Sequence, residues 1–156
     1  IIPTASVIVS VVDFLISFVI LIALMAWYNS WPSWHLLTLP FFLLLSFFTV
    51  LGAGLFVASL NVKYRDFRFV IPFVVQLGLY ISPVGFSTTI VPEQYRLFYY
   101  LNPMVGVIDG FRWAISGGTT ALNGTEILMS IGITLVLCYI GIKHFRKTEK
   151  NFADVI

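Results

Sequence analysis

Apolar residues run almost without interruption through four stretches of this chain, and polar residues gather in the segments between them. The four stretches are 5–28, 36–60, 69–90 and 121–142. A helix rises 1.5 Å per residue, so about 20 apolar residues are enough to cross the hydrocarbon core of a bilayer. The pattern therefore predicts an all-α integral membrane protein with four transmembrane helices.

The segment 92–117 breaks this pattern because helix-start and helix-stop residues interrupt its apolar positions. Pro92 predicts the first position of a short helix, and Asn102 and Pro103 predict the N-cap and first position of a second one that ends at Gly117. Helices of these lengths reach about 15 and 21 Å, whereas the hydrocarbon core is about 30 Å thick. Neither can cross, so the segment is predicted to be a re-entrant or surface-lying helical hairpin.

Lysine and arginine residues give the predicted helices an orientation. They cluster after the second stretch and after the fourth, and the linker 29–35 between the first two stretches has none. By the positive-inside rule both clusters are cytoplasmic. The hairpin is then external, and the tail 143–156 is cytoplasmic.

Composition agrees with a membrane protein, since 59% of the residues are hydrophobic and only 10% are charged. A formal net charge of +2 is too small to indicate a nucleic-acid partner, and a single Cys138 rules out a disulfide framework. The chain has no initiator Met and no basic leader at its start, so we expect it to be part of a longer protein. Within the given sequence, residues 1–156 are predicted to form a single transmembrane permease domain.

Charged residues inside the hairpin have two interpretations. Asp109 and Arg112 are three apart on the second predicted helix, a spacing that allows an ion pair. The pair could fix a gate over a pathway through the membrane, or it could only stabilise an interfacial helix. Irregular backbone at membrane depth is tolerated where protein or water covers it, which favours a pathway.

Polar residues within the stretches are candidates for lining a conduit. Asp13 shares a helix face with serines in the first stretch, and Gln76, Tyr80 and Pro83 share a face in the third. Helix–helix packing explains the serines equally well, and it is the favoured explanation for the small residues of the second stretch. For the third stretch the alternative is a proline-kinked helix whose freed carbonyls bond to neighbouring groups. The fourth stretch has almost no polar residue and is interpreted as lipid-facing scaffold.

Motifs of enzyme chemistry are missing from the sequence. It contains no phosphate-binding loop, no nucleophile elbow, no H-E-x-x-H and no Cys/His cluster with metal-ligand spacing. We therefore predict a transport subunit without cofactor or metal, whose energy comes from another subunit. A membrane-embedded glycan-modifying transferase is the alternative from another class, and it would need a convergent set of catalytic residues.

A series of short motifs, in order along the chain, resembles the ABC-2 family of polysaccharide export permeases of the Wzm type, which includes O-antigen and teichoic-acid exporters. The motifs are N-V-x-Y-R-D at 61–66, Pro72 with Gln76, Ser82-Pro83-Val84, Val91-Pro92-Glu93, Leu101-Asn102-Pro103-Met104, Gly110-Phe111-Arg112-Trp113 and the ending at 152–156. The resemblance extends over nearly the whole chain.

The resemblance implies an architecture and partners. Family members have six spans, so this chain corresponds to the last four, and the hairpin corresponds to the external gate. They act in the bacterial inner membrane as a homodimer bound to two ABC ATPase subunits, which hold ATP and Mg²⁺. They move an undecaprenyl-diphosphate-linked glycan through a conduit whose aromatic residues let sugars slide. An ABC-2 exporter of small hydrophobic molecules has the same architecture and stays an alternative.

The resemblance also implies roles for individual residues, in three groups. The candidates for the substrate path are Asp13, Gln76, Tyr80, Phe86, Tyr99 and Tyr100. Those for the gate hairpin are Asn102, Pro103, Asp109, Arg112 and Trp113. Those for contact with the ATPase or a lipid head group are Lys63, Tyr64, Arg65, Asp66 and Arg68, although a positive-inside anchor alone would explain the basic ones.

Overall fold

The computed structural model describes residues 2–29, 33–64 and 66–153, and within this part of the chain all regular structure is helical. Six α-helices follow one another, and short 3₁₀ turns precede α2 and α4. Their bounds are α1 Ile2–Trp27, α2 Leu39–Lys63, α3 Phe67–Ile81, α4 Glu93–Tyr99, α5 Pro103–Ile115 and α6 Gly124–Ala153. The predicted all-α class is confirmed.

Helices α2 and α6 form the centre of the molecule and run parallel. The Thr49 and Thr134 hydroxyls lie 2.7 Å apart, and the Ser59 hydroxyl lies 2.7 Å from Nδ1 of His144. Both pairs are 85 residues apart in sequence, and a constant separation is possible only between parallel helices. Gly52 permits the close approach, since a Cβ there would lie 2.7 Å from the backbone nitrogen of Cys138.

Helix α5 packs against the first halves of both central helices. Gly106 faces the side chain of Ser130 on α6, and Gly110 faces the ring of Phe42 on α2, with no room for a Cβ at either glycine. Val105 and Ala114 on the same helix are completely buried. Because small residues let helix backbones approach closely in a membrane, the spacing of these two glycines fixes α5 in place. The hairpin thus lies at the end of the bundle where α2 and α6 begin.

Two of the predicted spans meet the length and apolarity of a membrane crossing. They are Trp34–Val62, with 29 residues, and Gly124–Glu149, with 26. The other two correspond to shorter apolar helical stretches, Val12–Trp27 and Phe67–Ile81. An all-α membrane protein is supported, and the arrangement of four spans with a hairpin stays a prediction.

The third and fourth predicted spans have different ends in the structure. Helix α3 stops at Ile81 instead of continuing to Ile90, because the proline at 83 disfavours helical backbone at Ser82 and offers no N–H of its own. Helix α6 continues beyond Ile142 to Ala153, because no glycine or proline interrupts the predicted tail after Gly141.

The fourth predicted span has an exposed apolar face, with side chains such as Leu128 and Leu135, and in addition a packed face of small residues that the sequence analysis did not anticipate. Ser130 and Thr134 are buried against the rest of the bundle, and Gly141 lies against the backbone of Gly52. Small side chains let α6 pack on both α2 and α5. Helices α1 and α3 also expose apolar side chains, such as Val19 on the first and Phe69 on the second.

Candidate functional site

The two short helices predicted within the segment 92–117 are present as α4 and α5, and their arrangement as a re-entrant hairpin stays a prediction. Helix α4 begins at Glu93 directly after Pro92. The Asn102 side chain accepts a hydrogen bond of 3.0 Å from the backbone N–H of Met104, and Pro103 occupies the first turn of α5. Helix α5 ends at Ile115, where Gly117 has φ +66°, a left-handed conformation that a glycine adopts without strain.

The last residue of α3, Ile81, and the stretch 82–88 after it are fastened to this hairpin by side chains. We call this set of contacts the clasp. The Tyr99 hydroxyl donates to the Ile81 carbonyl at 2.7 Å, and the Asn102 amide donates to the Ser82 hydroxyl at 3.0 Å. The carbonyls freed at the end of α3 and the polar residues after it thus find their partners on the hairpin.

Arg112 is the central residue of the clasp. Its guanidinium lies 2.6 Å from Oδ1 of Asp109 and donates to the backbone carbonyls of Pro83, at 2.8 Å, and Phe86, at 3.0 Å. The other oxygen of Asp109 accepts from the buried Thr88 hydroxyl. The predicted Asp109–Arg112 pair is confirmed, and it joins the hairpin to residues 83–88 rather than serving α5 alone.

The surroundings of the Asp109 carboxyl act on its pKa in both directions. Burial raises its pKa above the usual value for aspartate, and the nearby carboxylate of Glu126 adds to the increase. The hydrogen bond from Thr88 and the charge of Arg112 lower the pKa in part. The net direction is upward, so this carboxyl binds a proton more readily than a free aspartate does.

A polar cavity of about 230 Å³ lies beside the clasp, between the hairpin, the stretch before it and the first turn of α6. Its two carboxylates lie on α5 and α6, and its two guanidinium groups lie on α4 and α5. The lining residues are Ser87, Thr88, Thr89, Arg96, Tyr100, Asp109, Arg112, Thr120, Ala121, Asn123 and Glu126. The cavity is the one concentration of charge inside the described part of the bundle.

Glu126 on α6 was missed by sequence reasoning although it is only 2% exposed. Its Oε1 accepts a hydrogen bond of 3.1 Å from the Asn123 amide, and its Oε2 has no hydrogen-bond partner among the described residues. Burial raises the pKa of Tyr100, and the neighbouring Glu126 carboxylate raises it further. A lone carboxylate in the first turn before a long apolar run was the available signal.

Several predicted site residues come together at the clasp and others lie elsewhere. Tyr99 is part of the clasp, and its ring centroid is 6.4 Å from that of Phe86. Asp13 on α1 is exposed, as are Gln76 and Tyr80 on α3, so these three side chains do not contact the hairpin cluster. Because α3 ends at Ile81, the face expected to join Gln76 and Tyr80 does not extend to the buried Pro83.

The remaining gate candidate, Trp113, packs against the segment that leads into α2. Its ring meets that of His35 edge to face, with centroids 4.5 Å apart. Ser33 lies 3.0 Å from Nδ1 of the same histidine. The second histidine, His144, contacts Ser59 far along α2, so the two do not share a site, as the sequence predicted.

The predicted cytoplasmic loop lies at the opposite end of α2 from the hairpin. Tyr64 and Asp66 are exposed there, and Arg68 stacks over the Phe69 ring, 5.7 Å from its centroid. Arg65 lies outside the described residues, as does the side chain of Lys63. Within the described part of the chain, no group of three or more His, Cys, Asp or Glu side chains could hold a metal ion.

Comparisons with known proteins agree with this picture of a membrane permease. The profile of the ABC-2 type transporter family matches residues 2–116. The chain is 25% identical over its whole length to the O-antigen export system permease protein RfbA of Myxococcus xanthus, of which it covers 60%. It is 23% identical over its whole length to an RfbA protein of Klebsiella pneumoniae, again covering 60%.

A further relative is the polysialic acid transport protein KpsM of Escherichia coli, 26% identical over 64% of this chain and 38% of that protein. No solved structure matches the chain. The chain thus spans about 60% of the length of its first curated relatives. These relatives are permeases, which agrees with a transport subunit rather than an enzyme. Because the family profile covers most of the sequence and the motifs of the clasp fall within it, the chain belongs to the ABC-2 type transporter family.

Proposed function

We propose that this chain is part of the membrane-embedded subunit of an ATP-driven ABC transporter that exports a lipid-linked polysaccharide across the bacterial cytoplasmic membrane. Family membership supports a transporter, and the names of the relatives, O-antigen export permease and polysialic acid transport protein, support a polysaccharide as its substrate. The lack of a phosphate-binding loop in the sequence supports placing ATP hydrolysis on a separate subunit.

The assembly we propose contains two copies of the permease and two ABC ATPase subunits, which bind ATP and Mg²⁺. The substrate is an undecaprenyl-diphosphate-linked glycan that moves outward between the two permease copies. The exposed side chains of Gln76 and Tyr80 on α3 support this route, since α3 has little protein cover in a single copy. Asp13, Phe86, Tyr99 and Tyr100 are the further candidates for residues along it.

The orientation in this proposal follows the basic residues. The loop after α2 and the end of α6 face the cytoplasm, so the hairpin is external. Exposed Tyr64, Asp66 and Arg68 would contact the ATPase or the diphosphate head group. Closure of the ATPases on ATP would move the cytoplasmic ends of the helices, and the hairpin would open the exit at the other end.

The observation that carries this mechanism is the clasp. Arg112 joins α5 to the Pro83 and Phe86 carbonyls, so the hairpin and the stretch after α3 move as one body. Helix α5 also packs on the starts of α2 and α6, which lead directly to the opposite end of the bundle. A displacement of those helices would therefore reach the hairpin through rigid contacts.

The test is export by the intact protein, reconstituted in vesicles with its ATPase and supplied with an undecaprenyl-diphosphate-linked glycan. We expect glycan to become accessible to an impermeant glycosidase on the far side only with ATP and an active ATPase. Flux of small hydrophobic compounds without glycan movement would support the small-molecule exporter instead. Loss of glycan movement despite intact ATP hydrolysis and folding would contradict the proposal.

A further inference from the structure

The polar cavity beside the clasp contains four charged side chains, and the contacts of the clasp do not account for all of them. Arg112 is committed to Asp109 and to two carbonyls. The Arg96 guanidinium donates to the Val91 and Thr89 carbonyls at 3.0 and 3.3 Å. Both cations therefore have partners in the protein, and both serve to hold the loop that forms the cavity wall.

Glu126 is the exception among these groups. It is 2% exposed and lines the cavity, and its buried Oε2 has no hydrogen bond from any described residue. A buried carboxylate oxygen without a donor is costly, and most buried polar atoms in proteins have a partner. The cavity volume of about 230 Å³ far exceeds the roughly 10–15 Å³ that admits one water, so a larger ligand has room to supply the donor.

The lining favours a ligand rich in hydroxyl groups over an ion. Two guanidinium groups in the same cavity oppose a divalent cation, and no described cluster offers three acidic, His or Cys ligands. The unpaired carboxylate opposes a phosphate or diphosphate. Hydroxyl groups can donate to the Glu126 carboxylate, whose Oε1 is held by the Asn123 amide at 3.1 Å. The same amide also donates to the Tyr100 hydroxyl at 3.4 Å.

We propose that this cavity is a monosaccharide subsite on the external side of the hairpin, in which the Glu126 carboxylate accepts from one or two ring hydroxyls of the exported glycan. Asn123 and Tyr100 hold the carboxylate from the side. The subsite rests on the proposed function, since it takes one sugar unit of the same substrate as that unit leaves the conduit. It lies within one copy of the chain and shares Tyr100 with the proposed route between copies.

Binding of free sugars to the full-length protein in nanodiscs tests the subsite. The probes are glucose, galactose, mannose, rhamnose and N-acetylglucosamine, each titrated while saturation-transfer NMR reports contact with the protein. The test variant is Glu126→Gln, which keeps the side-chain volume and replaces one carboxylate oxygen by a donor. The matched control is Glu149→Gln, at an exposed position on the same helix and far from the cavity.

We expect saturable binding of at least one sugar, weakened about tenfold or more by Glu126→Gln, as for the loss of a hydrogen bond to a charged group, and unchanged by Glu149→Gln. Binding of no sugar in the panel overturns the inference, and so does equal binding by Glu126→Gln. Export of glycan without sugar binding would remove the subsite and leave the proposed function. Sugar binding without export of glycan would leave the sugar site in the cavity and contradict the proposed function.

A labelling experiment keeps the inference testable if Glu126→Gln does not fold. Thr120 lines the cavity, so a Thr120→Cys change in a Cys138→Ala background places a thiol there for a maleimide reagent. We expect the sugar that binds best to slow labelling at Thr120→Cys and to leave a Thr119→Cys control, on the exposed neighbouring residue, unaffected. Protection by sodium or calcium chloride in place of sugar would identify a cation site and overturn the inference.

Discussion

Arg112 joins the hairpin to two backbone carbonyls of the stretch after α3. Its guanidinium bonds the Asp109 carboxylate on its own helix and the Pro83 and Phe86 carbonyls 29 and 26 residues earlier. A guanidinium presents five donors in a rigid fork, whereas an ammonium is a compact charge on a flexible stem. Lysine at this position could not satisfy the three acceptors with the same geometry.

Replacement of Arg112 by alanine is therefore expected to destabilise the protein by about 1–3 kcal/mol, because it leaves a buried acceptor and a buried carboxylate without their donor. Arg112→Lys should recover part of the loss. The measurement is the free energy of unfolding of the full-length protein in detergent, together with glycan export. Arg146→Gln, on an exposed part of α6, is the control, and an equal effect of that change would contradict the role of the clasp.

Asp109 adds a dependence on pH at the same place. Since burial raises its pKa in the folded state, the folded protein binds a proton there more readily than the unfolded chain does. The contribution of this carboxyl to stability is thus fully present below the unfolded pKa, about 3.9, and falls as pH rises through the raised folded pKa.

The test compares wild type with Asp109→Asn, which has no titrating group at this position. We expect the melting temperature of wild type, relative to that of the variant, to decrease between pH 4 and pH 7. A difference that increases over that range would mean that the Thr88 and Arg112 contacts outweigh burial and that the pKa is lowered. Because the charge of Glu126 also raises the pKa of Asp109, the same comparison is repeated in a Glu126→Gln background. The difference between the two comparisons gives the contribution of Glu126 to the pH dependence.

At the scale of elements, the sequence predicted features that depend on neighbouring residues, and it did not predict contacts between residues distant in the chain. The start of α5 at Asn102 and Pro103 and the pair of Asp109 with Arg112 depend on residues a few positions apart, so the sequence contains them. The bonds from Arg112 to Pro83 and Phe86 depend on how α3 and α5 meet, and no local pattern encodes that.

Helix α3 is shorter and helix α6 is longer than the apolar stretches that predicted spans there, and the two differences have different reasons. The apolar sequence continues past Ile81, but the helix ends there because the proline at 83 disfavours helical backbone at the residue before it. Charge begins after Ile142, but charge does not stop a helix that has no breaker. The buried role of α6 was missed because Ser130, Thr134 and Gly141 look sparse in a long apolar run, although they are the residues that allow close packing.

Packing of α5 against α2 gives a prediction at this scale. Gly110→Ala places a methyl group against the buried Phe42 ring, so we expect a loss of about 1–3 kcal/mol in the free energy of unfolding from overpacking. Gly132→Ala, where nothing lies near the added methyl group, should be neutral or stabilising because alanine favours a helix. Equal effects of the two changes would show that helix propensity, rather than contact with α2, decides the result.

For the whole molecule, the parallel course of α2 and α6 constrains the topology. Both begin at the hairpin end of the bundle and both are long and apolar enough to cross a bilayer. If both cross, the chain from Tyr64 to Asn123 must return to the side where α2 began. Helix α3 has 15 residues and a length of about 22 Å at 1.5 Å per residue, so the stretch 82–90 has to complete the return within the cover of the hairpin.

This reasoning predicts that the two ends of that connection lie on opposite sides of the membrane. Single cysteines at the exposed residues Asp66 and Thr119, in a Cys138→Ala background of the full-length protein, report the two sides to an impermeant maleimide. We expect Thr119→Cys to react in intact spheroplasts and Asp66→Cys only after the membrane is opened, since the basic residues near position 66 favour the cytoplasm. Reaction of both cysteines from outside would mean that the connection does not cross, and the hairpin could then not cover the exit of a conduit whose entrance is at the other end of α2.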